Sequence, residues 1–317
     1  MLSSAKSQRE AAKPELRPYP WVWFNGELVS WEDARVPILT HALHYGTGVF
    51  EGIRAYPTDG NLAVFRLQNH LARLLSSGKA IYLNSPFGVE QLANGVLELL
   101  RKSGVRESSY VRPLMFVGYS GIDLDIRRFP VHIAISAFPF AKYFTRSGIR
   151  VGVSSWRRIG DNSMSPSVKA TANYLNSVLA KTEAGLSGYD EAILLNERGL
   201  VSEATGENIF LVERGTLVTP TLASSILEGI TRDSVIQLAG AEGLKVMERE
   251  VIRSELYLAD EALLTGTAAE ISPILAVDGH PVGNGQVGPI TARLQTAFAS
   301  VVNGHSDRFR TWLTPVY

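Results

Sequence analysis

Ser167-Val168-Lys169-Ala170-Thr171-Ala172-Asn173-Tyr174 and the later run Val201-Ser202-Glu203-Ala204-Thr205-Gly206-Glu207-Asn208 decide the reading of this chain. The first offers a lysine among small residues, whose amine can condense with an aldehyde. The second offers a carboxylate that can hold a proton on a pyridine nitrogen. Amine chemistry with pyridoxal phosphate needs both groups, one to bind the cofactor covalently and one to let its ring draw electrons. Alone, neither decides anything. A single lysine reads as a solvated surface group, and a single Ser-x-Glu as a turn or a helix cap.

Composition narrows the field. A chain of 317 residues is long for one core and comfortable for two domains. It is 45% hydrophobic and 20% charged, the balance of an ordinary globular protein. Lys plus Arg and Asp plus Glu number 31 each, so no net field points to nucleic acid or an anionic membrane. The absence of cysteine removes disulfides, thiolate metal sites and cysteine nucleophiles. Six histidines show no H-x-x-x-H spacing, which argues against a metal site. No apolar run approaches the roughly 20 residues of a membrane helix. Residues 1–20 carry both charge signs and three prolines, and read as a flexible extension on a cytoplasmic protein.

Periodicity gives a mixed α/β order. Trp21 to Val29 reads as a hairpin turning at Asn25-Gly26. Val49 to Tyr56 reads as a strand, Leu67 to Tyr82 and Val89 to Ser103 as helices, and Tyr110 to Val117 and Val131 to Phe138 as strands. Residues 144–148 are polar and small, and divide an expected smaller α/β domain (21–143) from a larger one (149–317). Ile149 opens another strand, and hairpins follow at Glu197-Arg198-Gly199 and Glu213-Arg214-Gly215. Thr231 to Ala241 and Pro289 to Val302 read as helices.

Three segments could grip an anion. Gly229-Ile230-Thr231-Arg232-Asp233 opens a helix whose first N–H groups and threonine hydroxyl can face a phosphate. By itself Thr231 would also serve as a plain cap. Leu263-Leu264-Thr265-Gly266-Thr267-Ala268-Ala269-Glu270 runs a strand into a glycine turn with free amides. His70-x-x-Arg73 places a guanidinium beside an apolar helix face, where it could hold a phosphate bidentately or lie exposed.

Seven stretches together resemble the branched-chain amino acid aminotransferases, of the class IV, D-alanine-type fold of pyridoxal-phosphate enzymes. They are Trp23-Phe24-Asn25-Gly26, His41 to Arg54, Tyr110-Val111-Arg112-Pro113-Leu114, Lys169 to Tyr174, Ser202 to Phe210, Gly229 to Asp233, and Gly266 to Glu270. They span Trp21 to about Phe298. The resemblance implies a two-domain fold with pyridoxal 5'-phosphate at the domain interface. It further implies a ping-pong exchange of amino groups between Leu, Ile or Val and 2-oxoglutarate.

The resemblance also implies roles. Lys169 would be the Schiff-base lysine and the base that moves the Cα proton. Glu203 would pair with the pyridine nitrogen, Tyr174 with the ring hydroxyl, and Leu227 would back the ring. Arg73, Ile230, Thr231 and Thr267 would hold the phosphate. Thr267, Ala268 and Tyr110 would receive the α-carboxylate. Tyr45, Phe50, Phe140, Tyr143 and Tyr174 would wall an apolar pocket, and Arg112 would take the distal carboxylate of glutamate. An arginine within an apolar strand is hard to explain as packing, since unpaired buried charge is costly.

Ala170-Thr171-Ala172 stands where relatives often carry glycine-rich residues, and Phe140 where many carry tryptophan. Relatives acting on D-amino acids, (R)-amines or aminodeoxychorismate keep the lysine and glutamate, and they are the alternatives. Tyr110-x-Arg112 and Tyr45 to Gly52 favour the branched-chain reading. The family places its site near a dimer interface, closed by a neighbouring loop for which residues 118–129 are the candidate. The partners implied are amino acids, 2-oxo acids and a second copy of the chain.

Overall fold

The computed structural model describes residues 16–141, 143–144 and 146–317. Most of the N-terminal extension, and part of the 144–148 segment, therefore lie outside the described residues. The first half of the chain builds β1 (Trp21–Phe24), β2 (Glu27–Ser30), α1 (His41–Tyr45), β3 (Gly48–Phe50), β4 (Ile53–Thr58), β5 (Asn61–Phe65), α2 (Leu67–Ala80), α3 (Val89–Lys102), β6 (Ser109–Val117) and β7 (Val131–Pro139). The second half builds β8 (Ile149–Arg157), α4 (Tyr174–Leu186), β9 (Glu191–Leu195), β10 (Val201–Ala204), β11 (Asn208–Glu213), β12 (Thr216–Thr219), α5 (Ile230–Ala241), β13 (Lys245–Glu248), α6 (Glu255–Leu258), β14 (Glu261–Gly266), β15 (Glu270–Val277), β16 (His280–Pro281), α7 (Pro289–Val302) and β17 (Leu313–Pro315).

Two sheets result. The first runs β17-β5-β4-β6-β7-β1-β2, with β3 also on β6, and its pairings are antiparallel. The second runs β10-β9-β8-β15-β14-β11-β12-β13, with β16 on β15. It is mixed: β8 lies parallel to β9 and β15, and β12 parallel to β13. The mixed α/β expectation is met.

Local chemistry sets the elements. Asn25 (φ 52°) and Gly26 (φ 102°) both take the positive φ of a tight hairpin turn, as their pairing in sequence requires. α3 buries Leu92, Ala93, Val96, Leu99 and Leu100 on one stripe, and the Gln91 side chain reaches back to the Gly88 N–H at its start. α2 buries Leu67, His70, Leu71, Leu74 and Gly78 against the first sheet. A Cβ on Gly78 would lie 2.0 Å from Met115 Cε and 3.1 Å from the Leu83 carbonyl oxygen, so any larger residue here would make the Met115 side chain move. Each fully buried leucine here contributes about 1.5–3 kcal/mol of transfer free energy.

Two expectations differ from the structure. The single strand read over Val49 to Tyr56 is broken into β3 and β4 at Glu51-Gly52. The Glu51 side chain turns inward for burial, and a Cβ on Gly52 would lie 1.7 Å from the Tyr110 hydroxyl. In addition, the tail returns to the first sheet as β17, with Thr314 opposite Val64 on β5, although residues 149–317 read as one later unit. A shared core follows, in which Tyr56 and Phe65 of the first sheet pack with Phe210, Leu263 and Phe298.

Candidate active site

One cleft of about 1010 Å³, including its open mouth, takes residues from both sheets. The first sheet presents Phe50, Tyr110 and Arg112, with Arg73 arriving from α2. The second presents Glu203 on β10, Asn208 on β11 and Thr265-Gly266-Thr267-Ala268 at the end of β14. Lys169 and Tyr174 lie on the segment leading into α4, and Leu227, Ile230 and Thr231 lie at the start of α5.

Lys169 is tied into the first sheet: its carbonyl accepts the Phe50 N–H at 3.1 Å, and Ala170 bridges to Val49. Its Nζ donates to the Tyr174 hydroxyl at 2.6 Å and lies 5.0 Å from the Phe50 ring centre. The amine is thus fixed at one point in the cleft between two aromatic rings.

Glu203 is 4% exposed and bonded on both oxygens, with one acceptor site of Oε1 left over. Arg158 Nη2 lies 2.8 Å from Oε1, while Asn208 Nδ2 and the Leu227 N–H donate to Oε2 at 2.9 and 3.0 Å. Burial pushes this carboxyl up from its ordinary range, and Arg158 pulls it back without prevailing. A carboxyl poised this way can hold or share a proton with a basic ring nitrogen.

At the other end, α5 begins at Gly229 with no side chain capping its first amides. Thr231 is the second helical residue, not the cap, so its hydroxyl is free of that duty. A Cβ on Gly229 would lie 1.9 Å from Asn208 Oδ1, which explains a glycine where the helix starts beside β11. Arg73 enters the same corner. Its Nε and Nη2 donate to Glu51 at 2.6 and 2.9 Å, and Nη1 donates to the Glu228 carbonyl at 2.7 Å. Two of its five N–H bonds remain for a ligand. His70 Nδ1 lies 2.7 Å from the same glutamate. Burial would raise the Glu51 carboxyl, but Arg73 and His70 overcome it and hold the group well below the usual range. An amine, a bonded carboxyl and an anion cradle in one cleft fit pyridoxal phosphate in chemistry and in order.

The mouth differs. Arg112 is partly buried among rings, 4.9 Å from the Phe50 centre and 5.2 Å from that of Tyr110. No carboxylate pairs with it among the described residues, and its Nε has no partner. β6 places Tyr110 and Arg112 two residues apart, hence on one face.

Of the residues named from sequence, the cleft gathers Arg73, Lys169, Tyr174, Glu203, Leu227, Ile230, Thr231, Thr267, Phe50, Tyr110, Arg112, Tyr143 and Ala268. Tyr45 and Phe140 are not among its lining. Tyr45 ends α1 and packs on His41 with ring centres 4.5 Å apart, because Gly46 turns the chain away in the left-handed conformation. Phe140 stands behind Tyr110, 5.3 Å between centres, and against Arg54. Sequence reasoning missed Arg158, Asn208 as a bonding group, and the Glu51–His70 pair. Only the need of a buried Glu203 for a cation hinted at the first.

Comparison with known proteins gives the family and the fold. The family model described as amino-transferase class IV matches residues 48–277. A protein of Aquifex aeolicus named probable branched-chain-amino-acid aminotransferase is 44% identical over 301 residues, covering 94% of this chain and 97% of its own. The branched-chain aminotransferase of Thermoproteus uzoniensis, solved with norvaline, superposes with a TM-score of 0.91 at 48% identity, over 94% of this chain and 99% of that one. The branched-chain amino acid aminotransferase of Thermobaculum terrenum, solved in its PLP form, gives 0.89 at 40% identity, over 95% and 99%.

Proposed function

Because this chain belongs to the class IV aminotransferases, we propose that it transfers amino groups between branched-chain L-amino acids and 2-oxoglutarate with pyridoxal 5'-phosphate. The observation that carries this reading is the joint presence in one cleft of Lys169, the bonded Glu203 and an unpaired Arg112. Bound there, the cofactor supplies an aldehyde for the amino group and a ring that withdraws electrons from the substrate Cα.

The protein's own residues do the rest. Lys169 Nζ, held by Tyr174, removes and returns the Cα proton. Glu203, kept in place by Arg158, Asn208 and the Leu227 amide, holds the proton on the ring nitrogen. Arg73, the first amides of α5, Thr231 and Thr267 grip the phosphate, and Leu227 backs the ring. Thr267, Ala268 and the Tyr110 hydroxyl receive the α-carboxylate. Phe50, Tyr143 and Tyr174 wall the side-chain pocket, with Phe140 supporting Tyr110 from behind. Arg112 serves both substrates: leucine leaves it solvated at the mouth, and glutamate pairs with it.

The two halves of the exchange use the same groups in opposite directions, so the keto acid leaves before the acceptor enters. We read residues 21–143 and 149–317 as two domains with 144–148 between them, and the β17 tail as a tie back to the first. Among the described residues no helix is long and apolar enough to cross a membrane. We place the enzyme in the cytoplasm as a homodimer or an assembly of dimers. In that assembly residues 118–129, with Ile122 and Leu124 exposed, and Tyr45 complete a neighbouring pocket.

The test is the purified protein with pyridoxal phosphate, L-leucine and 2-oxoglutarate, assayed for 4-methyl-2-oxopentanoate and glutamate. Both products should appear in equal amounts. Amino transfer from D-alanine to give pyruvate, or from (R)-1-phenylethylamine to give acetophenone, with no keto acid from leucine, would overturn the substrate assignment.

A further inference from the structure

The turn joining β10 to β11, Thr205-Gly206-Glu207, forms one lip of the cleft and packs against the end of β14. Glu207 is 6% exposed, and its Oε2 accepts the Gly206 N–H at 3.1 Å. Among the described residues it joins no ion pair, unlike Glu203 four positions earlier. A Cβ on Gly266 would lie 3.0 Å from Glu207 Cγ, so the strand end that leads into Thr267 and Ala268 rests on this side chain.

Behind it, Glu191 on β9 is wholly buried and already takes the local cation. Lys181 Nζ from α4 binds Glu191 Oε2 and the Asp190 carbonyl, while the Thr205 hydroxyl donates to Glu191 Oε1 at 2.7 Å. The other ionisable groups acting near Glu207 are Glu203 on β10 and Tyr143 beyond β7. Glu207 therefore has two carboxylates for neighbours and a lysine already engaged with one of them.

We propose that Glu207 is a positioning residue that works as a neutral acid, filling the space beneath Gly266 and keeping negative charge away from the turn that receives the substrate's α-carboxylate. The inference rests on the transaminase reading, which gives Thr267 and Ala268 that role. Burial and then repulsion by Glu191 push the Glu207 carboxyl up to about 8, against the pull of Lys181 and the Gly206 amide. Below that value the proton stays and the turn is free to take an anion. Above it, a carboxylate stands beside the place where another must bind.

The same proton leaves a mark on stability. Between the ordinary carboxylate range and about 8, the folded protein holds a proton that the unfolded chain has lost. Stability therefore falls as pH rises through that window.

The experiment measures KM for 4-methyl-2-oxopentanoate, which has no group titrating there, with saturating glutamate from pH 6.5 to 9.5. Holoenzymes of the wild type, Glu207→Gln and Glu191→Gln are compared. If only the neutral form binds, wild-type KM rises about tenfold between pH 7 and pH 9. Glu207→Gln should bring that ratio near one, and Glu191→Gln should start the rise at lower pH. The melting temperature of Glu207→Gln relative to wild type should increase from pH 5 to pH 8. An unchanged KM ratio in Glu207→Gln overturns the inference while leaving the transaminase reading intact. A wild type that transfers no amino group removes that reading and this inference with it. Should Glu207→Gln not fold, a Glu191→Gln profile that coincides with wild type overturns the inference.

Discussion

The two ends of the cleft are built on opposite principles. At the inner end the guanidiniums are paired within the chain, Arg73 on Glu51, where His70 is also bonded, and Arg158 on Glu203. At the mouth, Arg112 and Glu207 have no ionic partner among the described residues, and the Tyr143 hydroxyl makes no hydrogen bond to any of them. Paired charges hold a geometry whether or not a ligand is present, which suits a permanent cofactor. The unpaired Arg112 is satisfied only by what enters, which on the proposed reading suits a substrate whose side chain alternates between apolar and anionic, while Glu207 stays neutral. One pocket can then read leucine and glutamate without moving its walls.

The strongest way to break this division lies at the inner end. Lys169→Ala should lower kcat by about a thousandfold or more, since on the proposed reading the amine is both the covalent anchor and the proton carrier. Turnover within tenfold of wild type would show that another group moves the Cα proton. Next, Glu51→Ala should destabilise the protein by about 3–5 kcal/mol, because it strands a buried guanidinium. Urea unfolding of the apoprotein measures this, and a loss below about 1 kcal/mol would mean that Arg73 finds water instead. The Glu51 contribution has a pH signature. Its carboxyl is depressed, so its stabilisation is present above the ordinary glutamate range and is lost as pH falls toward the folded value.

At the mouth, the comparison sharpens through selectivity. Arg112→Ala should raise KM for 2-oxoglutarate by about 30- to 150-fold, the worth of a charge-assisted pair of about 2–3 kcal/mol. KM for leucine should change much less, because leucine leaves that guanidinium unpaired. Equal losses for both substrates would mean that Arg112 supports the aromatic walls and reads no carboxylate.

How much of this was legible beforehand follows the range of the interactions. Asn25-Gly26, the α3 stripe and the Pro289 start of α7 are local signals, and they set their elements within a residue or two. The lysine and glutamate stood out because their neighbours are as unusual as they are. Arg158 was invisible: it follows β8 with no periodic pattern, and only the folded chain brings it to Glu203. The break at Glu51-Gly52 was hidden for the same reason, since its cause is the Tyr110 hydroxyl, far along the chain. β17 is three residues ending in proline, too short for an alternating pattern to show. Tyr45 was assigned to the pocket through family resemblance, and within one chain α1 directs it elsewhere.

The smallest expected effect is also the finest probe of the mouth. Tyr143 lies 43% exposed on the cleft wall, with its hydroxyl kept protonated by burial and then by Glu207 and Glu191. If that hydroxyl helps Arg112 with a distal carboxylate, Tyr143→Phe removes one hydrogen bond and leaves the apolar wall in place. The loss for 2-oxoglutarate should be about 0.5–1.5 kcal/mol, roughly two- to tenfold in kcat/KM, with leucine unchanged. In the Arg112→Ala background the same substitution should cost less, because the carboxylate is no longer held near the ring. Additive losses would separate the tyrosine from the arginine, and an equal loss for leucine would make Tyr143 a wall and nothing more.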